Sequence, residues 1–323
     1  MISAKMGNGT SQAKFVPLAK NEQIEKIFVL RKTKGPEIPK VQYIVLPSIC
    51  RNFLFNLVFT PFILTFYTIK LKANLILTYH FVPHAFFGFL TSLLTGKPHV
   101  FGQTGSECQT LSQKPILKQL IRRVLKQTKF ILTPGPNSKK YWVKEHQINP
   151  LTIKLLHRTI NAAVFLPEEH NYEYDFIYVG RLHAIKKVEE VLKGFLVLKD
   201  KGFTFKACIV GDGGELEALK LIVQDYKLGG YVDFVGYQKN IYKYLRVSRI
   251  FVMASIMEGL PVSLMEAMSS EKLVITSDVG NIPYLVKHNK NGLMFKNGDY
   301  STLHKLMAEA FINYTKYDTL RKE

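Results

Sequence analysis

The sequence has 323 residues, of which 47% are hydrophobic and 21% are charged. This length is enough for two domains with cores of their own, and the composition excludes an intrinsically disordered protein. The formal net charge of +19 points to an anionic partner. The three cysteines are odd in number and far apart, so they form no disulfide or metal-binding pattern and suit a cytoplasmic protein.

The positive charge is concentrated in the first half of the chain. Residues 1–170 hold 23 Lys and Arg against 7 Asp and Glu, giving +16, whereas residues 171–323 hold 21 against 18, giving +3. No nucleic-acid-binding motif accompanies this charge, so we predict no nucleic-acid partner. An anionic membrane surface fits better, since each nearby basic residue adds about 1 kcal/mol of attraction. A solvated basic surface is the simpler alternative.

The first half is predicted as α/β, with less regular spacing than the second. A glycine loop at residues 6–11, which includes Gly9, leads into a helix. Only six residues precede Gly7, so part of a first strand is expected to be lacking. Apolar runs predict strands at residues 27–30, 41–46, 75–78, 99–102 and 130–133.

Residues 53–71 form the longest apolar segment. Their length approaches the roughly 20 residues that a membrane-spanning helix needs. Asn56, Pro61 and three threonines argue against spanning and favour a buried or interfacial helix. Basic residues lie at both ends, as is common in helices at a membrane surface.

The second half alternates strictly between strand and helix patterns. Strands are predicted at 175–180, 205–210, 232–235, 250–254, 273–276 and 293–295, and helices at 186–201, 215–228, 241–247, 261–269 and 282–287. Such alternation predicts a parallel sheet covered by helices, with right-handed connections. Ligands of such sheets bind beyond the carboxyl ends of the strands. A break in the pattern near residues 164–174 places the domains at 1–167 and 168–323.

Two carboxylates flank the predicted helix start at Pro261. Glu258 falls in a strand-to-helix loop and Glu266 falls inside the helix, while proline suits the first helical turn. The helix N-terminus would offer free N–H groups and a positive dipole end to an anion. Carboxylates on either side of an anion site suggest a nucleotide sugar, which has phosphates in its middle and hydroxyls at both ends.

Two cations follow the first strand of the second half, at the same predicted sheet edge. Arg181 and Lys186 could hold a diphosphate and offset the charge that develops when it leaves. A solvated basic loop is the alternative. The Gly211-Asp212-Gly213 run lacks the third glycine of a dinucleotide fingerprint and is interpreted as a tight turn beside the ligand. Gly236 ends another strand at this edge, as a structural turn or near a base.

Residues 176–298 resemble the donor domain of family 4 glycosyltransferases. These enzymes have the α/β GT-B fold, in which two Rossmann-like domains face each other across a cleft. The resemblance rests on six motifs in order: Val179-Gly180-Arg181-Leu182 with Lys186, Val210-Gly211-Asp212-Gly213, Phe234-Val235-Gly236, Glu258-Gly259-Leu260-Pro261-Val262 with Glu266, Ser277-Asp278-Val279-Gly280-Asn281-Ile282-Pro283, and Asn291-Gly292-Leu293-Met294-Phe295.

The resemblance implies a role for each matching position. Arg181 and Lys186 would bind the donor diphosphate, Glu258 would contact the sugar, and these three residues are the implied catalytic set. Glu266 would bind the ribose hydroxyls. Backbone groups would complete the donor contacts; the implied positions are Gly9, Gly211, Gly236, Gly259, Leu260 and Val262. The family's His-Gly pair appears here as Thr104-Gly105.

The resemblance also implies an enzyme activity and its setting. The protein would move a hexose-type sugar from a nucleotide-diphosphate sugar, such as a UDP-sugar, to a saccharide or lipid-linked acceptor with retention of configuration. The setting would be surface polysaccharide biosynthesis, in the cytoplasm or peripheral on the inner face of the membrane. No metal or other cofactor is expected, because cations and a helix end would replace it. A catalytically silent binding subunit and a nucleotide-sugar epimerase of the same fold are the alternatives.

Overall fold

The structure is a computed structural model that describes residues 1–4, 8–104, 110–156, 160, 164–167 and 171–322, without the side chains of residues 8–10 and 51. The chain divides into two compact units, Met1–His157 and Arg158–Glu323. Each unit is a parallel sheet packed against helices, which confirms the predicted α/β class with two Rossmann-like sheets.

The first unit contains a seven-stranded parallel sheet in the order β3-β2-β1-β4-β5-β6-β7. Its strands are β1 (Ile2–Ser3), β2 (Ile27–Arg31), β3 (Val41–Val45), β4 (Ile76–Tyr79), β5 (His99–Gly102), β6 (Phe130–Thr133) and β7 (Ile153–Leu155). The five predicted strands are all present. The sequence analysis missed β1 and β7, because two or three residues are too few to show an apolar pattern.

Helices of the first unit pack against this sheet. They are α1 (Asn8–Lys20), α2 (Phe53–Lys70), α3 (Phe86–Thr95), α4 (Pro115–Lys126) and α5 (Pro136–His146). Trp142 is fully buried in the core, where its Nε1–H donates to Oε1 of Gln103 at 3.0 Å. The bond satisfies the one polar group that this large side chain brings inside.

The apolar segment predicted around residues 53–71 is the helix α2. The Asn52 side chain caps it by accepting a hydrogen bond from the N–H of Leu54 at 2.9 Å. Of the two predicted alternatives, a buried or an interfacial helix, the buried one is wrong, since most of the large apolar side chains of α2 are exposed and Phe62 is 65% exposed. By length and composition alone α2 could cross a membrane.

The second unit contains a six-stranded parallel sheet in the order β10-β9-β8-β11-β12-β13. Its strands are β8 (Tyr174–Val179), β9 (Ala207–Val210), β10 (Val232–Gly236), β11 (Ser248–Met253), β12 (Leu273–Ser277) and β13 (Leu293–Phe295). Its helices are α6 (Val188–Asp200), α7 (Leu216–Asp225), α8 (Tyr242–Leu245), α9 (Val262–Ser269), α10 (Ile282–Leu285), α11 (Tyr300–Ile312) and α12 (Asp318–Lys322). All predicted strands and helices are present, and α11 and α12 are additional.

The strand order of this sheet reverses between β8 and β11. From β8 the chain moves outward to β9 and β10, and from β11 it moves outward on the other side. The two strands pair directly, with Phe176 opposite Ile250. The connections that leave their carboxyl ends therefore diverge, and this is the point where open parallel sheets bind ligands.

Candidate active site

The loop between β11 and α9 carries Glu258 at the carboxyl edge of the sheet. Glu258 is 9% exposed, and the neighbouring Leu260 is 5% exposed. Pro261, the predicted first residue of the helix, instead occupies the N-cap position with an extended ψ of 128°. The helix begins at Val262, so the first-turn N–H groups point toward this loop without acceptors in the helix. The predicted placement of Glu258 in the loop and Glu266 in the helix is confirmed.

Lys186 joins the loop after β8 to the loop after β11. Its Nζ lies 2.5 Å from Oε1 of Glu258, and the Lys186 side chain is 17% exposed. A second link runs between the same loops, where the N–H of Ile256 donates to the carbonyl of Ile185 at 2.9 Å. The structure thus brings a predicted phosphate ligand and the predicted sugar ligand into one ion pair.

Arg181 lies at the start of the loop after β8, with an exposed side chain. Its carbonyl accepts a hydrogen bond from the buried Tyr178 hydroxyl at 3.1 Å. Burial, and secondarily the nearby Glu258 charge, raises the pKa of Tyr178, so this hydroxyl stays protonated. Within the described ranges Arg181 makes no ion pair with Glu258 or Glu266, and its guanidinium is available to an incoming anion.

Glu266 lies in the second turn of α9, on the side opposite the core. Leu264 and Ala267 are fully buried and anchor the helix, while Glu266 is half-buried. Burial raises the pKa of Glu266 to about 7. In the part of the chain that the structure describes, no hydrogen bond or ion pair reaches its carboxylate. The group is therefore close to half-protonated at neutral pH and has its hydrogen-bonding capacity unused.

Gly211 allows the loops after β8 and β9 to touch. Its φ is +150°, and a Cβ built there would lie 1.8 Å from the carbonyl oxygen of Gly180. Leu182 and Asp212 join the same two loops by an N–H to carbonyl bond of 2.9 Å. The glycine is needed for close backbone packing, which gives a physical reason for the predicted tight turn.

The loop after β12 supports the Glu258 loop, and the sequence analysis assigned no role to it. The N–H and Nδ2 of buried Asn281 both donate to the carbonyl of Gly259, at 3.0 and 3.2 Å. Gly280 has φ +60°, and a Cβ there would lie 2.0 Å from the carbonyl oxygen of Glu258. Ser277 Oγ donates to the carbonyl of Ser255 at 2.5 Å. The resemblance had included residues 277–283 among its motifs, and this was the available sign that the segment has a role.

Two more glycines were expected to contact the donor, Gly236 at the same sheet edge and Gly9 in the first unit. Gly236 ends β10, where its carbonyl accepts a bond from the N–H of Gly211 at 2.9 Å. Gly9 lies in α1 of the first unit. Their donor contacts remain predictions. Gly7 and Gly105 lie outside the described residues.

The second unit matches a known protein family over nearly its whole length. Residues 165–323 match the family described as glycosyl transferases group 1. The second unit of this chain is therefore similar to group 1 glycosyltransferases. The predicted Arg181, Lys186, Glu258 and Glu266 all lie inside the matched residues.

Curated relatives extend the similarity. The amylovoran biosynthesis glycosyltransferase AmsK of Erwinia amylovora is 36% identical over 138 residues, which are 40% of this chain and 34% of that protein. The UDP-Gal:alpha-D-GlcNAc-diphosphoundecaprenol alpha-1,3-galactosyltransferase of Escherichia coli is 25% identical over 309 residues, 87% of this chain and 79% of that protein. The chain spans 34%, 60% and 39% of the lengths of the first three curated relatives that it matches.

Solved structures identify the fold of the whole chain. Anabaena Alr3699/HepE in complex with UDP-glucose superposes with a TM-score of 0.80 at 14% identity, covering 99% of this chain and 92% of that chain. The fold is GT-B, as the resemblance implied. At this identity the likeness establishes the fold alone.

Proposed function

We propose that the protein transfers a hexose-type sugar from a nucleotide-diphosphate sugar to a saccharide or lipid-linked acceptor, with retention of configuration. The observation that carries the proposal is the Lys186–Glu258 pair at the strand-order reversal, beside the N-terminus of α9. A cation, a carboxylate and free N–H groups at one sheet edge suit the phosphates and the hydroxyls of such a donor.

Donor binding would divide the Lys186–Glu258 pair between two parts of the ligand. The diphosphate attracts Lys186, and Glu258 then accepts hydrogen bonds from the sugar hydroxyls. Val262 and Ser263 present first-turn N–H groups to the phosphates, and Arg181 adds a second cation. As the bond from sugar to phosphate breaks, negative charge grows on the diphosphate, and these groups stabilise it without a large rearrangement.

The cationic side chains also bear on the need for a metal. Lys186, Arg181 and the α9 N-terminus supply positive charge where a metal ion would otherwise neutralise the leaving diphosphate. We therefore propose transfer without a metal or organic cofactor.

Glu266 would bind the ribose at the other end of the donor. Its carboxylate makes no bond with the described residues, and a ribose offers two hydroxyl donors to it. Hydrogen bonds to the ionised form would lower the pKa of Glu266 from about 7, so donor binding would release a proton near neutral pH.

The names of relatives support a proposal for the base, the acceptor and the setting. The Escherichia coli relative takes galactose from UDP to a diphosphoundecaprenol-linked sugar by its name, and the HepE structure contains UDP-glucose. These names support a UDP-sugar donor, a lipid-linked acceptor and a role in surface polysaccharide biosynthesis. They also support a cytoplasmic protein on the inner face of the membrane.

Replacing Glu258 separates sugar transfer from nucleotide binding. In Glu258→Gln, release of UDP from UDP-hexoses should fall at least about 100-fold, as when one transition-state hydrogen-bonding group is lost. Binding of UDP, which has no sugar, should be equal or tighter, because Lys186 loses its competing partner. Steady-state release of UDP and calorimetric titration measure the two effects.

Glu189→Gln is the matched control. Glu189 pairs with Lys187 at 3.0 Å, close to the site but with both side chains more than 30% exposed. Its rates should equal those of the wild type. Wild-type turnover in Glu258→Gln would refute the role of Glu258, whereas UDP binding without turnover of any UDP-hexose would favour a silent binding subunit.

A further inference from the structure

The helix α2 packs with its polar side inward. Asn56, Thr60 and Thr68 are buried against the first unit. Thr60 Oγ1 donates to Oδ1 of Asn56 and Thr68 Oγ1 donates to the carbonyl of Leu64, both at 2.7 Å. Thr65 Oγ1 bonds Thr91 Oγ1 of α3 at 3.1 Å. The polar groups are thus satisfied within the protein, and Leu64 packs beside them in the core of the first unit.

The opposite side of α2 is apolar and exposed. We call it the outer face; it consists of Leu54, Phe55, Val58, Phe59, Phe62, Phe66 and Ile69, which are between 41% and 68% exposed. Their spacing of mostly three and four positions places them in one stripe along the helix. The stripe runs the 18 residues of α2, about 27 Å at the helical rise. Soluble monomers rarely expose a continuous apolar patch of this extent.

The charge around the outer face indicates which partner covers it, a second copy of the chain or an anionic bilayer. Residues 38–106, which contain α2 and α3, hold five basic residues and no acidic residue. Lys70 and Lys72 are exposed at the end of α2, and Lys70 Nζ lies 5.5 Å from the centre of the Phe66 ring. A second copy of the chain would bring two surfaces of like charge together. An anionic bilayer offers both acyl chains for the stripe and phosphates for the lysines.

We propose that α2 lies in the plane of an anionic bilayer, with its outer face among the acyl chains and its lysines at the headgroups. The helix lies on the membrane rather than across it, because Leu64 and Thr68 are fully buried against the first unit. This inference deepens the membrane location given in the proposed function. It uses no donor-site residue, so each can fail without the other.

Vesicle sedimentation of the full 323-residue protein tests the proposal. The wild type should sediment with phosphatidylglycerol-containing vesicles and at least about tenfold less with phosphatidylcholine alone. The double variant Phe62→Glu with Phe66→Glu should lose at least about tenfold in binding to the anionic vesicles, since it places charges within the acyl region. Alkaline extraction should release the bound wild type.

The double variant Ile116→Glu with Leu151→Glu is the matched control. These side chains are 83% and 77% exposed in the same unit but lie outside α2, so vesicle binding should not change. A cooperative thermal unfolding transition near the wild-type melting temperature shows that each variant is folded. Three results would overturn the proposal: no wild-type binding to anionic vesicles, equal loss in both double variants, or a vesicle-free dimer that the Phe62 and Phe66 changes dissociate.

Discussion

Glu266 is the proposed ribose-binding residue, and burial changes its ionisation. Its pKa is raised to about 7 by burial, while its proposed task is to accept hydrogen bonds as a carboxylate. We predict that UDP-glucose binds about tenfold more weakly at about pH 6 than at about pH 8, because ionisation must precede binding. UDP-glucose suits the titration because its esterified diphosphate does not gain a proton in this range. Calorimetry across pH measures the effect.

Glu266→Gln should remove this pH dependence of binding, and an unchanged pH dependence in that variant would assign the proton to another group.

The pH dependence of stability gives an independent check of the direction of the pKa shift. The folded pKa lies above the unfolded value, so the contribution of Glu266 is present below about pH 4 and lost as the pH rises through about 7. At about pH 8 the free energy of unfolding of Glu266→Gln should therefore exceed that of the wild type by about 1 kcal/mol, after allowance for solvent screening.

At the scale of elements, the loop after β12 holds the Glu258 loop in place. Gly280→Ala would put a Cβ 2.0 Å from the carbonyl of Glu258 at a φ of +60°. A shift of about 1 Å in the Glu258 loop can reduce turnover about 100-fold, because the reacting groups lose alignment. We expect UDP release to fall by about that factor, as measured by steady-state kinetics, while the melting temperature falls only modestly.

Gly214→Ala provides the control for this glycine change. A Cβ at Gly214 meets no atom within 4 Å, so the variant should keep wild-type turnover. If Gly280→Ala retained wild-type rates, the close contact between the loop after β12 and the Glu258 loop would not be needed for turnover.

The order of elements was readable from the sequence, but their pairing was not. Apolar runs and helical spacing gave the strands of the second sheet, and the resemblance marked Lys186 and Glu258. Local patterns do not show which strands are neighbours. The contact between Lys186 and Glu258, 72 positions apart, could therefore be seen only once the structure showed that β8 pairs with β11. The helix α11 was missed although a signal existed: Asp299 caps it, with Leu303 and Met307 buried at helical spacing.

The orientation of α2 could not be predicted for a different reason. Sequence patterns assign the apolar side of a helix to the core. Here Asn56 and Thr60 satisfy each other inside the first unit, and the aromatic side remains outside. The composition of residues 53–71 therefore indicated an interfacial helix, but only the structure showed which side is free to meet a membrane.

At the scale of the whole molecule, charge and chemistry are divided between the two units. The first half carries +16 of the net charge and contains α2, whereas the second half is close to neutral at +3 and contains the group 1 domain. We therefore expect membrane attraction to be a property of the first unit, and donor binding to depend on a few cations in the second. High salt should weaken vesicle binding more than nucleotide binding, because exposed charges are screened more strongly than partly buried ones.

The proposed function requires that the sheet edge at β8 and β11 binds a nucleoside diphosphate. Calorimetric titration of UDP and of GDP into the 323-residue protein measures this binding. We predict that at least one of them, with UDP expected, binds at one site per chain, and that Arg181→Ala weakens this binding about tenfold by removing a charge-assisted contact. Absence of binding by both nucleotides would contradict the account.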